Sequence, residues 1–318
     1  MIGAVKYLVM AMAAAAVFAC GGRHGSSTNG TAHGAANSSA SAKYSQFSFP
    51  VPPAAVQPEE QQAWLQEHFW DRFEFADSAY VAAQDSMNII GLFALYVTQI
   101  VDPEDPSPVA QLMQRAEAQR HTFRYFMSMA GEVLHDPNSP YRNDELYIPV
   151  LERAVESPLL DEYEKLAPRH DLRMALQNRV GRPANDFTYT DIRGRNSTLY
   201  RIGTEWTLLF FSNPGCPLCA EIMRRLGESP VVMRALNEGR LTILALYPDD
   251  DIEAWRQHAA DIPARWINAR DTDFRIRHEL LYDLKAIPAL YLLDREKRVA
   301  VKDAAELYPI ELLLADES

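Results

Sequence analysis

Cysteine is scarce in this chain: three residues in 318, at positions 20, 216 and 219. That scarcity argues against metal binding. A structural zinc site takes four ligands, commonly two Cys pairs or one pair with spaced histidines. There is no second pair, and His258 and His278 fall in separate predicted helices. His121, His135 and His170 are scattered, without an HxxxH or HExxH spacing, and read as surface or capping residues. Runs of Lys and Arg are also lacking, and the formal charge is −12. A nucleic acid or other polyanion is therefore not an expected partner. No apolar run reaches the ~20 residues of a membrane span, and no internal repeat is present.

What is present begins at the N-terminus. "MIGAVKYLVMAMAAAAVFACGG" has a basic n-region at Lys6 and a short apolar run from Tyr7 to Ala19. This is the grammar of a secretory signal. "VFAC" looks like a bacterial lipobox, with Val17, Ala19 and Cys20 in place and Phe18 an unusual occupant of its slot. Residues 1–19 are thus expected to be a lipoprotein signal peptide, with Cys20 the lipid acceptor. Gly21 rather than an aspartate follows it, which favours an outer-membrane anchor facing the periplasm. Residues 20–44 are rich in Gly, Ser, Asn and Ala, so a flexible tether is expected. His24 and His33 read as linker residues. Loss of Lys6 with the signal takes the charge from −12 to −13. A hydrophobic content of 47% suffices for packed cores, and the length allows about two domains.

Residues 45–180 are expected to form an all-helical domain of five or six helices. "EEQQAWLQEHFWDRFEFAD" places Trp64, Leu65, His68, Phe69, Arg72 and Phe73 at helical spacing. "SMNIIGLFALYVTQI" reads as a second helix and "SPVAQLMQRAEAQRHTFRYFMSMAGEVL" as a third. "DPNSPYRNDELYIPVLERAVES" supplies a turn and a further helix, and "DEYEKLAPRHDLRMALQNRV" one or two more, broken near Pro168. Six aromatics crowd the window from Trp64 to Tyr80. At helical spacing they read as core, with a groove for a peptide-like client as the alternative.

At Gly181 the pattern changes. "EWTLLFFS" and "RLTILALYP" are continuous apolar runs, as buried parallel strands should be. "DFTYTDIRG" and "ARWINAR" supply further strands. "DIEAWRQHAAD", "TDFRIRHELLYDL" and "AELYPIELLLAD" read as helices. "IPALYLLDREKRVAVK" reads as a hairpin turning near Asp294 to Arg298. Residues 181–318 are therefore expected to be an α/β sandwich around a mixed sheet flanked by helices.

Between the first buried strand and the helix after it lies "NPGCPLCAEI". A disulfide closing so tight a loop constrains the unfolded chain by roughly 2 kcal/mol, against about 3 for a 15-residue loop. As a lone staple it is poorly placed. As a redox couple it has a mechanism. Pro217 suits the first helical position. The free N–H groups of Leu218 and Cys219, with the helix dipole, then favour a thiolate on Cys216. Cys219, one turn on, resolves the mixed disulfide.

These segments, together with "GRPANDFTYTDIRG" and "AIPALYLLDREKRV", resemble the thioredoxin-like fold and in particular the TlpA-like thiol–disulfide oxidoreductases of the bacterial envelope. The resemblance implies a cis Ile287–Pro288 bond beside the Cys pair. Pro288 would pack on the disulfide while the backbone of Ile287 pairs with an extended client. It also implies client proteins with disulfides or thiols, an upstream envelope thiol donor, and no cofactor. The helical part, through "WLQEHFWDRFEFAD" and "DPNSPYRNDELYIPVLE", looks like an uncharacterised domain found upstream of such domains in envelope lipoproteins. Two departures stand out. Gly215 replaces the Trp that many relatives carry before the first Cys. Phe210 stands where thioredoxins have a buried acid. Glu221 is the nearby candidate proton acceptor for Cys219, and a solvated helix acid is its plainer reading. Two other functions compete. A peroxiredoxin-like peroxidase wants a Thr upstream of the attacking Cys, which "FFSNPGC" lacks. A binding or assembly lipoprotein would use the redox fold as a scaffold.

Overall fold

The computed structural model describes residues 44–304 and 306–315. The expected signal peptide, the lipid acceptor Cys20 and the tether up to residue 43 lie outside the described residues. Among the described residues no helix is long and apolar enough to cross a membrane.

The first half is helical. After a 3-10 turn, Pro58–Glu60, come α1 (Gln61–His68), α2 (Ser78–Ala83), α3 (Ser86–Leu95), α4 (Ser107–Ala116), α5 (Arg120–Leu134), α6 (Asp144–Glu156) and α7 (Leu166–Ala175). A π-helical turn, Tyr96–Ile100, extends α3. Short polar side chains start several of these helices by accepting free backbone N–H groups. Asp77 accepts from Ala79 and Tyr80, Asp85 from Asn88, and Asn143 from Leu146.

The aromatic window is core and forms no groove. Phe69, Trp70, Phe73, Phe75 and Tyr80 are all buried in one cluster, with Trp64 packed against it. Phe126 of α5 sits among them, 5.4 Å from Trp70, 5.3 Å from Phe73 and 5.4 Å from Phe75 between ring centroids.

Two expectations for this half need correction. The helix at Trp64 ends at His68, so Arg72 and Phe73 lie in the turns that follow. The stretch expected as one helix from Ser107 to Leu134 is two, broken at residues 117–119. Ala116 and Phe123 are seven residues apart, two helical turns, so the apolar stripe stays in phase across the break and periodicity cannot register it. The chain turns there because both helices pack around a single core. Glu117, at the break, pairs with Arg153 of α6. His135 is a capping residue, as expected: it is the C-cap of α5, half-buried, with its ring stacked at 5.0 Å on Tyr147, and burial pulls its imidazolium below the ordinary range.

The second half is a seven-stranded sheet. Its strands are β1 (Thr188–Asp191), β2 (Asn196–Thr198), β3 (Trp206–Phe211), β4 (Leu241–Tyr247), β5 (Ile267–Asp271), β6 (Ala289–Leu293) and β7 (Val299–Ala304), in the order β2-β1-β5-β4-β3-β6-β7. β3 pairs parallel with β4, and β4 parallel with β5; the other pairings are antiparallel. All six residues of β3 are buried, which is why it reads as a continuous apolar run rather than an alternating one.

Side chains alternate across the sheet. Leu208, Phe210, Ile243, Ala245, Leu290 and Leu292 pack on one face, under α8 (Pro217–Glu228), α9 (Pro230–Asn237) and α12 (Tyr308–Ala315). Leu209, Phe211, Leu244, Leu246, Tyr291 and Leu293 pack on the other, with Phe187 and Tyr282. The remaining helices are short: α10 (Ile252–Gln257) and α11 (Arg275–His278).

The expected helix over "TDFRIRHELLYDL" shrinks to α11. Phe274 and Leu280 bound it in the left-handed region, at φ 57° and 54°. Beyond it Tyr282 enters the core, donating its hydroxyl to the carbonyl of Asn185.

The two halves keep separate hydrophobic clusters within one compact unit, Tyr44–Ser318. Polar contacts join them. Lys302 of β7 pairs with Asp144 of α6 at 2.7 Å and donates to the carbonyls of Ala175 and Gln177, each at 2.8 Å. Arg142 donates to the carbonyl of Asp303 at 2.7 Å. Gln177 and Asn178 donate to the carbonyls of Leu280 and Leu281. Asp303 is half-buried, and burial pushes its carboxyl up to about 6 despite Arg142 and Lys285 nearby.

Candidate active site

The sheet delivers the Cys pair to the carboxyl end of its central strand. β3 ends at Phe211, and residues 212–215 lead into α8. The Asn213 carbonyl accepts the Cys216 N–H at 3.3 Å, closing the turn. Gly215 lies in that turn at φ 67°, a left-handed conformation in which a larger residue would be strained.

Cys216 is the N-cap of α8 and Pro217 its first residue. The Cys216 sulfur accepts the N–H of Cys219 at 3.2 Å. The sulfur thus lies among the N–H groups of the first turn of the helix. Cys216 is half-buried. Cys219 is 1% exposed and belongs to the core cluster under α8. Burial, and then the neighbouring Cys216 sulfur, push the Cys219 thiol up to about 12. Both cysteines are unbonded, so the site is in its dithiol form.

The Ile287–Pro288 bond is cis. Phe211 of β3 faces Ala289 of β6, and one residue beyond that pair on either strand lie Ser212 and Pro288. Pro288 therefore stands at the root of the loop that carries Cys216. Ile287 packs against the same core cluster as Cys219.

Neither position weighed for a proton acceptor puts an acid beneath Cys219. Phe210 is fully buried, its ring edge-on to Trp266, and supplies no acid beneath Cys219. Glu221 is exposed, and its carboxylate is bound by Arg224 at 2.6 Å, which holds it below the usual carboxylate range. It also lies two residues beyond Cys219, so it leaves the helix on a different side. Cys219 faces the core, and Glu221 faces water.

Sequence reasoning missed the wall opposite Cys216. A cavity of about 550 Å³ opens beside it, lined in part by Cys216, Met223, Trp255, His258, Asp261 and Ile262. Trp255 donates to Asn268 at 2.8 Å, and Asn268 donates to the Ala259 carbonyl at 3.1 Å, which pins this wall to β5. His258 and Asp261, three residues apart, read locally as a helix-surface pair. Nothing local says that His258 faces a glycine 43 positions earlier in the numbering.

A solved thioredoxin-like protein from Bacteroides caccae is 37% identical, with a TM-score of 0.80, covering 86% of this chain and 99% of that one. The chain belongs to the thioredoxin-like proteins. Residues 25–178 match a domain family of unknown function, DUF5106. The C-terminal domain of an uncharacterized protein from Bacteroides fragilis is 44% identical, with a TM-score of 0.43, over 44% of this chain and 99% of that one. The thioredoxin domain of a thiol-disulfide oxidoreductase from Bacteroides vulgatus is 19% identical, with a TM-score of 0.38, over 43% and 95%. Among curated proteins none matches.

Proposed function

We propose that this protein is a TlpA-like thiol–disulfide oxidoreductase of the bacterial envelope, tethered through lipid on Cys20. It exchanges disulfides with client proteins through Cys216 and Cys219. The observation that carries the reading is the asymmetry of the pair. One sulfur caps a helix beside an open cavity, and the other is buried beneath it with its thiol pushed up to about 12.

In the reducing direction the Cys216 thiolate attacks a client disulfide. One client sulfur leaves as thiolate and the other joins Cys216 in a mixed disulfide. Cys219 then loses its proton and attacks the Cys216 sulfur. The client leaves with its second thiol, and the pair is left as a disulfide. The client disulfide has gained two electrons and the pair has lost two, which the upstream thiol donor restores.

The test is turbidimetric reduction of insulin by the full chain under dithiothreitol. Wild type should accelerate it well above the reagent alone, and the Cys216→Ser/Cys219→Ser chain should not. Equal rates would leave the protein as a scaffold-type binding lipoprotein.

A further inference from the structure

The release step needs a group to carry a proton, because a buried thiol must lose one and a departing client sulfur must gain one. The pocket's titratable and charged groups are few. Arg224, on α8, is held by Glu221 and Glu228. Tyr247, at the end of β4, has its phenol pushed up by burial and then by Asp249, so it stays neutral. Cys216 is itself in the mixed disulfide at this stage. His258 and Asp261 remain.

Their geometry is specific. Nδ1 of His258 lies 2.8 Å from Oδ2 of Asp261. With Nδ1–H donated to that carboxylate, Nε2 is left open for proton exchange. That edge faces the Cys loop: a β-carbon on Gly215 would lie 3.7 Å from Cε1 and 3.9 Å from Nε2 of His258. In the release step Cys219, Cys216 and the client sulfur lie roughly in line. Cys219 attacks from the core, so the client sulfur leaves on the far side of Cys216, towards the cavity that His258 lines.

We infer that His258, oriented by Asp261, carries the proton of the release step to the departing client sulfur. This rests on the exchange reading above. The bond between the Cys216 and client sulfurs breaks, and the bond between the Cys216 and Cys219 sulfurs forms. The proton lost by Cys219 passes to solvent, and Nε2, which draws a proton from solvent in the cavity, gives it to the client sulfur, which leaves as the thiol. The imidazole ends as it began.

The attack step makes a different demand when its leaving group is a weakly basic thiolate, which departs without a proton. This separates the two steps experimentally. The substrate is a peptide cysteine joined by a disulfide to a coloured aromatic thiol. The reduced full chain is mixed with it in a stopped-flow instrument. The aromatic thiolate leaves first and reports attack by Cys216; the peptide thiol leaves second and reports release. His258→Asn should leave the coloured burst unchanged. It should slow peptide release at pH 7 by about a hundredfold, the scale of general acid–base assistance. Added imidazole should restore part of the loss. His258 is 44% exposed at its side chain, so the substitution does not empty the core. Equal slowing of both steps, or a loss that imidazole does not restore, would assign His258 a structural role and overturn the inference. Unchanged release would overturn it too. If wild type gives no burst, the oxidoreductase reading falls and this one with it. If wild type completes both steps and His258→Asn matches it, only this one falls.

Discussion

Cys219→Ser protein should accumulate disulfide-linked adducts with envelope proteins, whereas Cys216→Ser protein should accumulate none and exchange at background level. The division follows from position. Attack requires a thiolate and access, and Cys216 has the helix N-terminus and the open cavity. Cys219 is 1% exposed, with its thiol pushed up to about 12. At pH 7 such a thiol stays almost wholly protonated, so alone it attacks slowly. Without Cys219 the mixed disulfide forms and has no internal route to resolution. Non-reducing gels of extracts, with alkylation of each single variant across pH, check the assignment. The sign is definite. A thiol raised by burial stays neutral through physiological pH, so labelling of Cys219 in the Cys216→Ser chain should rise only in strongly alkaline solution. Adducts on the Cys216→Ser chain, with faster labelling of Cys219 at neutral pH, would reverse the roles.

Phe126→Ala should destabilise the protein by about 3–5 kcal/mol, the range for truncating a buried aromatic residue. Phe126 is fully buried and meets Trp70, Phe73, Phe75 and Tyr125, with ring centroids between 5.3 and 5.8 Å away. These neighbours come from α5 and from the turns after α1. Those turns have no regular hydrogen-bond ladder, so their order depends on this cluster. Urea denaturation followed by far-UV circular dichroism should show the lost stability as an earlier midpoint. A change below about 1 kcal/mol would mean that the aromatic cluster collapses onto the vacated space without cost.

What the sequence disclosed, and what it did not, follows from the range of the interactions. β3 was legible because burial on both faces leaves an unbroken apolar run. The Cys216 helix start was legible because Pro217 and the N-cap lie within three residues of each other. The identity of the aromatic window as core followed from spacing, although the helix ends at His68 and turns carry most of the rings. The break between α4 and α5 was invisible because its two apolar stripes are in phase. The truncation at α11 depends on where Tyr282 packs, and on carbonyls held by Gln177 and Asn178 about a hundred residues earlier. Lys302 likewise carries no local sign of its partners Asp144, Ala175 and Gln177. The site divides in the same way. Cys216, Cys219 and Pro288 could be named from motif and resemblance. Glu221 was named from proximity in sequence, and the helix carries its side chain away from the buried thiol towards Arg224. His258 was missed because it faces Gly215 only once β4 and the segment after it have packed beside the Cys loop.

The central claim is that Cys216 and Cys219 form one reversible two-electron couple. Equilibration of the full chain in buffers of graded thiol–disulfide ratio, quenched with acid and followed by mass-tagging of free thiols, measures this directly. The account predicts that both thiols disappear together, within one molecule, along a single curve with the slope of a two-electron couple, about 30 mV per decade. A pair that stays dithiol at every poise, or that oxidises only between chains, would contradict it.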